Sequence, residues 1–172
     1  PMVATASEAK EFAALARAAG DLRVGIMVET PSIVYEISKL EGVVDFISVG
    51  TNDLSQYLFA SDRMNPNLGA MLNPWQPALL SSLKQIAIES KKAGIYSGVC
   101  GESGSDPAFA VVLVGMGYDS VSSSRSQVGA VRTALSSVTK DEARAVFESV
   151  AAASDSDEAK TLALAKLGEI AK

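Results

Sequence analysis

Two carboxylates and one thiol stand at the ends of three separate apolar runs. Glu29 closes the run Gly25-Ile26-Met27-Val28, Asp53 follows Val49-Gly50-Thr51-Asn52, and Cys100 closes Ser97-Gly98-Val99. Hard oxygen ligands on two neighbouring loops suit Mg²⁺, which commonly takes one or two carboxylates and fills its shell with substrate oxygens and water. Taken singly, each acid reads first as a helix-terminal carboxylate; the pair at equivalent positions is what opens the metal reading. Gly50 and Thr51 bring backbone N–H groups to a helix start, a setting that favours anions. The plain alternative is an ordinary strand-to-helix turn. Asn52 adds an amide able to donate to a phosphate or carboxylate oxygen. Arg63 could fold back as a phosphate fork or stay a solvated loop arginine. Cys100 lies between Gly98 and Gly101, and glycines let a ligand approach the backbone closely. A thiol there could act as nucleophile or as proton donor, against the plain reading of a small buried residue.

Composition narrows these options. The chain contains no histidine. That removes Ser-His-Asp triads, His-based metal sites and any phosphohistidine carried by this segment. It also leaves Cys100 without an activating imidazole, so proton transfer stays open while hydrolase-type attack does not. A single cysteine excludes an internal disulfide and fits a reducing, cytoplasmic compartment. The net charge of −5 disfavours nucleic acid as a partner. No apolar run reaches the roughly 18 residues of a membrane span, and the start Pro1-Met2-Val3 lacks signal-peptide character. With 172 residues, 48% of them hydrophobic, the chain has enough apolar material for one domain or part of a larger one. Its opening on Pro-Met reads as an excised segment.

Elements that could position the candidates alternate along the chain. A helix is expected over residues 7–19, capped by Ser7 and ended by Gly20, and a strand over 23–30. Pro31 blocks that strand, and a helix follows over 32–40. Residues 43–49 form the next strand, with a short helix from Leu54 and a long loop over 62–77. A strong helix covers 78–93, a strand 95–99, a helix 106–114 and a last strand 120–124. Helices over 127–138, 140–153 and 157–171 complete the chain. Trp75, Tyr57 and Phe59 read as packing residues. Strand-helix alternation implies a parallel sheet with helical crossovers. No Gly-x-Gly-x-x-Gly follows the first strand, so a dinucleotide fold lacks its fingerprint. Chemically able residues at successive carboxyl ends of strands match a (β/α)8, or TIM, barrel, of which four strands make half. The expected fold is therefore α/β: the second half of a TIM barrel over residues 1–138, plus a helical tail over 139–172.

Four stretches, in this order, carry a likeness to a known family. They are Gly25-Ile26-Met27-Val28-Glu29-Thr30-Pro31, Gly50-Thr51-Asn52-Asp53-Leu54-Ser55-Gln56-Tyr57, Asp62-Arg63 and Gly98-Val99-Cys100-Gly101-Glu102. Together they closely resemble the phosphoenolpyruvate-utilising enzymes. The phosphotransferase branch of that family matches best. The pyruvate phosphate dikinase and phosphoenolpyruvate synthase branches, a structural dimerisation module, and another magnesium-dependent barrel acting on 2-oxo acids are the competing readings. The resemblance implies a phosphoenolpyruvate-binding barrel that forms homodimers. It implies Mg²⁺ on Glu29 and Asp53, phosphoenolpyruvate on Asn52, Asp53 and Arg63 with Gly50 and Thr51 lending backbone, and Cys100 as the acid that completes pyruvate. It further implies transfer to a histidine of a separate N-terminal domain and then to a histidine-bearing phosphocarrier protein. The family's phosphate-clamping arginines on earlier strands have no counterpart here, and Arg125 stands where proline is frequent. The segment alone is expected to be inactive.

Overall fold

The structure, a computed structural model, describes residues 1–171. Four parallel strands form one sheet in the order β1 (Gly25–Val28), β2 (Phe46–Gly50), β3 (Tyr96–Cys100) and β4 (Ser120–Val121). Each strand pairs with its successor in sequence, as in a section of a (β/α)8 barrel. Met2 makes one further parallel bridge to Met27, on the outer edge of β1. The expected four-strand α/β architecture is the one found.

Helices cover one face. They are α1 (Ala6–Ala18), α2 (Pro31–Val34), α3 (Thr51–Leu58), α4 (Pro77–Lys92), α5 (Pro107–Met116), α6 (Val128–Ser136), α7 (Lys140–Val150) and α8 (Ser156–Ile170). Strand alternation decides which side chains meet them. Ile26, Val28, Ile47, Val49 and Val99 enter the core, while Met27 and Ser48, of opposite parity, stay partly exposed. α5 is apolar on every side, Ala108-Phe109-Ala110-Val111-Val112-Leu113, because it is enclosed. Ala143, Val146 and Phe147 of α7 and Ala159 and Ala163 of α8 join the same core, so the last helices are built onto the strand-helix unit.

Four local expectations are corrected. The cap of α1 is Thr5, not Ser7. Thr5 Oγ1 accepts from the Glu8 N–H at 3.2 Å and the Glu8 carboxylate accepts from the Thr5 N–H at 3.1 Å, a reciprocal box that Ser7, with Lys10 three residues on, cannot make. The helix expected over 32–40 breaks into α2 and a 3-10 turn, Ile37–Leu40. Ile33 and Val34 are buried on α2, and Ile37 and Leu40, the buried side chains of the turn, are three apart, a spacing that a three-residue turn aligns. The last strand stops at Val121, because the Ser124 N–H is taken by Ser105 Oγ at 2.9 Å and the chain is drawn off the sheet. Tyr57 is 47% exposed and does not pack. Trp75 does, at 2% exposure.

Asp45 ties the near ends of β1 and β2 to α1. Its carboxylate accepts from the Val24 N–H at 2.6 Å and from Arg17 at 2.9 Å. The Val24 bond first, then Arg17, holds the Asp45 carboxyl below its ordinary range. Hydrogen bonds lower Glu36 (from Lys39, then Ala6), Glu142 (from Thr139) and Glu158 (from Ser154) in the same direction. For a depressed acid the unfolded chain takes up the proton first as pH falls. The stabilisation is complete above the unfolded values, about 4, and drains away below them. Thermal melts should therefore hold steady from neutral pH to about 5 and fall steeply below about 4. Asp45→Asn should lower the neutral-pH melting temperature and flatten the acid limb; an unchanged limb would contradict the role given to Asp45.

Candidate active site

The register brings three strand ends into one row. Val28 pairs with Val49 and Gly50 with Cys100, so Glu29, Gly50 and Cys100 lie side by side at the carboxyl edge. Adjacent strands are about 4.8 Å apart, which spreads the row over about 10 Å. By alternation all three continue the set containing Met27, Ser48 and Gly98, the face away from the helices. Glu29 packs over Gly50 so closely that a Cβ added at Gly50 would overlap its carboxylate. That is why this strand end carries glycine.

α3 begins at Thr51, immediately after the strand, rather than at Leu54. Asn52 and Asp53 are thereby fixed in its first turn. Arg63, just beyond the helix, reaches back with its guanidinium 3.4 Å from the Asp53 carboxylate, and its backbone N–H donates to Gln56 Oε1 at 3.1 Å. The Arg63–Asp53 pair is half in solvent and contributes little stability; its effect is to place a cation beside the acids. Thr51 Oγ1 donates to the Cys100 carbonyl at 3.2 Å and bonds Ser103 Oγ at 2.7 Å. The Cys100 thiol donates to the Val49 carbonyl at 3.4 Å. Gly101 has φ +99°, a left-handed value that favours glycine. A Cβ there would lie 2.7 Å from Thr51 Oγ1 and 3.3 Å from Asn52 Oδ1. Motif two and motif four of the sequence are thus locked against each other.

The capping alternative is not what is seen for the two acids. The residue before α2 is Thr30 and that before α3 is Gly50, and neither helix start donates to a capping side chain, although Asp53 does stand in the first turn of α3 as a helix-terminal carboxylate. Glu29 is instead pushed up from its ordinary value, by burial first and then by the charge of Asp53, with the amino terminus and Arg63 pulling the other way. Two carboxylates that repel each other at a strand edge are a donor set that a divalent cation relieves. No group of three or more acidic, cysteine or histidine side chains placed to hold a metal ion occurs among the described residues, so a bound Mg²⁺ would draw further ligands from substrate and water.

An open cleft of about 720 Å³ adjoins the row. Thr51, Asn52 and Arg63 line it, together with Ser55, Glu102, Ser103 and Asp106; Glu29, Gly50, Asp53 and Cys100 do not. A depression of about 810 Å³ at the amino ends of β3 and β4 is lined by Lys91, Lys140 and Arg144 and contains none of the candidates. Its size does not outweigh the convergence of strand-end acids, thiol, amide and guanidinium at the other edge. Sequence reasoning missed Ser103 and Ser55. The signals were there: Ser103 directly extends the fourth motif, and Ser55 is one helical turn from Thr51.

Residues 1–140 match the family model for the PEP-utilising enzyme, PEP-binding domain. The chain belongs to this family. Among relatives, the phosphoenolpyruvate-protein phosphotransferase of Streptomyces coelicolor is 40% identical over 168 residues, 97% of this chain and 30% of that protein. The same-named protein of Bacillus subtilis is 34% identical over 170 residues, 92% of this chain and 30% of its own length. Multiphosphoryl transfer protein 1 of Escherichia coli is 40% identical over 119 residues, 69% of this chain and 14% of that protein. The chain thus spans less than a third of the relatives it matches. As a member of the PEP-binding domain family, it carries its four motifs on one sheet edge and the loops that leave it.

Proposed function

We propose that this chain is the phosphoenolpyruvate-binding segment of a phosphoenolpyruvate-protein phosphotransferase that starts the sugar phosphotransferase system. The observation that carries the reading is the single row Glu29–Gly50–Cys100, with Asn52, Asp53 and Arg63 directly beside it. Asn52 and Arg63 bind and orient the ester, and the Gly50–Thr51 backbone lets it approach. Glu29 and Asp53 would hold Mg²⁺, which would supply neutralisation of charge on the phosphoryl oxygens when bound. The phosphorus–oxygen bond to the enol breaks as a bond to an imidazole nitrogen of another domain forms. Cys100 gives its proton to the methylene carbon of the departing enolate, which becomes pyruvate, and the thiolate regains a proton from water. The phosphohistidine then passes its phosphoryl group to a histidine-bearing phosphocarrier protein. With no histidine in the segment, acceptance of the phosphoryl group falls to the rest of the parent protein.

The parent acts in the cytoplasm as a homodimer on this reading. No helix among the described residues is long and apolar enough to cross a membrane. On the uncovered sheet face Tyr96 is 47% exposed, and at the β1 edge Met2 is 50% exposed, apolar area that self-association would bury. Light scattering should find the 172-residue chain larger than a monomer; a clean monomer would count against this part.

The central test uses the full-length protein with phosphorus-labelled phosphoenolpyruvate. Mg²⁺-dependent, acid-labile label on histidine without ATP is the expected result. A requirement for ATP, or turnover of pyruvate with no phosphoryl transfer, would overturn the assignment. The segment alone should bind phosphoenolpyruvate more weakly than micromolar.

Metal binding has its own test. Because the Glu29 carboxyl is raised on folding, its charged form opposes the fold. Its favourable contribution is present below the unfolded value, about 4.3, and is lost as pH rises through the folded one. At pH 7, Glu29→Gln should stabilise the metal-free chain, by less than about 1 kcal/mol for so open a site. Millimolar Mg²⁺ should raise the melting temperature of the wild type and leave that of Glu29→Gln unmoved. Equal response in both would remove Glu29 from the metal site.

A further inference from the structure

Among the buried serines and threonine, Ser61 donates to the Phe59 carbonyl at 3.0 Å, Ser90 to the Ile86 carbonyl at 2.7 Å and Ser97 to Asp119 at 3.5 Å, while Ser55 has no partner. Thr51 and Ser103 differ from all of these. At 2.7 Å they make the one buried bond between two side chains among the described residues, and it joins positions 52 apart in sequence. Bonds between side chains are the minority in proteins, and a buried one holds both partners firmly. Proton counting gives its direction. Each hydroxyl has one proton to donate and lone pairs to accept with. Thr51 gives its proton to the Cys100 carbonyl at 3.2 Å. Ser103 therefore donates to Thr51 Oγ1, the one partner its hydroxyl has among the described residues. The bonds run from Ser103 to Thr51 to Cys100. They leave the fourth motif, cross to the second and return to the residue that carries the thiol. With Ser103 in place, the Thr51 proton has a single direction in which to point.

Ser103 is itself held from behind. Gly101, with φ +99°, turns the chain back toward α3. A Cβ at Gly104 would overlap the Ser122 carbonyl, and Ser105 Oγ accepts from the Ser124 N–H at 2.9 Å. The 3-10 turn Glu102–Ser105 is thus wedged between the start of α3 and the segment that leaves β4. We propose that Ser103 is a positioning residue, acting through Thr51 to fix the Cys100 thiol at its distance from a ligand held by Asn52 and Arg63. Its role needs no contact with the ligand. This rests on the reading of Cys100 as the acid of the proposed reaction. Proton transfer to the methylene carbon depends steeply on that distance, and a shift of about 1 Å can cost about 10²-fold in rate. Asn52 and Arg63 stand on α3 and on the loop beyond it, so release of the fourth motif disturbs the acid and spares the binding groups.

The test uses the full-length protein with phosphoenolpyruvate and Mg²⁺ and without the phosphocarrier protein, so that each active molecule makes a single pyruvate. Rapid quench then separates two quantities: the rate constant of that burst and its amplitude, which counts correctly folded molecules. Ser103→Ala should lower the rate constant about tenfold. The phosphoenolpyruvate concentration giving half the maximal rate should stay within about twofold of wild type. A merely structural part would lower the amplitude and leave the rate constant alone. Thr51→Val removes the middle of the chain of bonds. Adding Ser103→Ala to Thr51→Val should change the rate constant by less than about twofold further, whereas independent effects would multiply. A reduced amplitude with an unchanged rate constant, an effect confined to the half-saturating concentration, or penalties that multiply in the double variant would each overturn the inference. Failure of the functional reading shows separately, in the labelled-phosphate experiment on the wild type. Normal labelling there, with an unchanged rate constant in Ser103→Ala, removes only the role of Ser103.

Discussion

If the proposed function holds, Cys100→Ser in the full-length protein should slow pyruvate formation by about 10²–10⁴-fold, the range for loss of a positioned general acid. Serine is the more telling replacement than alanine. It keeps a donor where the thiol bonds the Val49 carbonyl at 3.4 Å, and it adds no bulk beside Gly50 and Gly101. It does not keep the acidity, since an alcohol parts with its proton far less readily than a thiol. Binding of phosphoenolpyruvate should be nearly unchanged, because Asn52, Asp53 and Arg63 are untouched. The loss should thus fall on kcat and spare KM. Activity within about threefold of wild type would mean that water, not this side chain, protonates the enolate.

Phe109→Ala should cost about 3–5 kcal/mol of stability. Phe109 is 0% exposed and meets the Trp75 ring edge-on, centroids 4.9 Å apart at 87°. Truncation would open a cavity under the first turn of α5, the helix enclosed between the sheet and α7, and would remove the ring contact as well. Against the roughly 5–15 kcal/mol of a typical domain, that is a large fraction. It also reaches the site. Trp75 anchors the far end of the long connection that begins beside Arg63, so loss of its seat should loosen the wall of the cleft formed by Leu72 and Pro74. Urea titration checks the prediction: the midpoint should fall with little change in slope. A cost under about 1 kcal/mol would mean that the core re-packs around the gap.

Much of this architecture was legible because its signals are local. Apolar runs ended at Glu29, Gly50 and Cys100, proline or glycine punctuated them, and sequential strand–helix order left one simple arrangement. The strand ends therefore came out in the expected row. The failures have physical causes that lie outside any one window. Thr5 outcompetes Ser7 as a cap because Glu8 can answer it. Ser124 leaves the sheet because Ser105, far back in the chain, takes its N–H. Tyr57, expected to pack, is exposed because α3 turns Thr51, Leu54 and Ser55 inward and leaves position 57 outward. At the site, residue types pointed to the acids, the thiol and the amide. The bond from Thr51 to Ser103 and the solitary hydroxyl of Ser55 depend on how two loops meet. No spacing rule carries that information.

The paramagnetic effect of Mn²⁺ on the amide spectrum of the 172-residue chain tests the convergence of the site most directly. Manganese takes the same oxygen ligands as magnesium and broadens signals by proximity alone. Signals from residues 29, 50, 53 and 100 should fade first and together, and the effect should vanish in Asp53→Asn. Broadening centred instead on the opposite edge, around Ser97 and Asp119, or an undiminished effect in Asp53→Asn, would contradict the account.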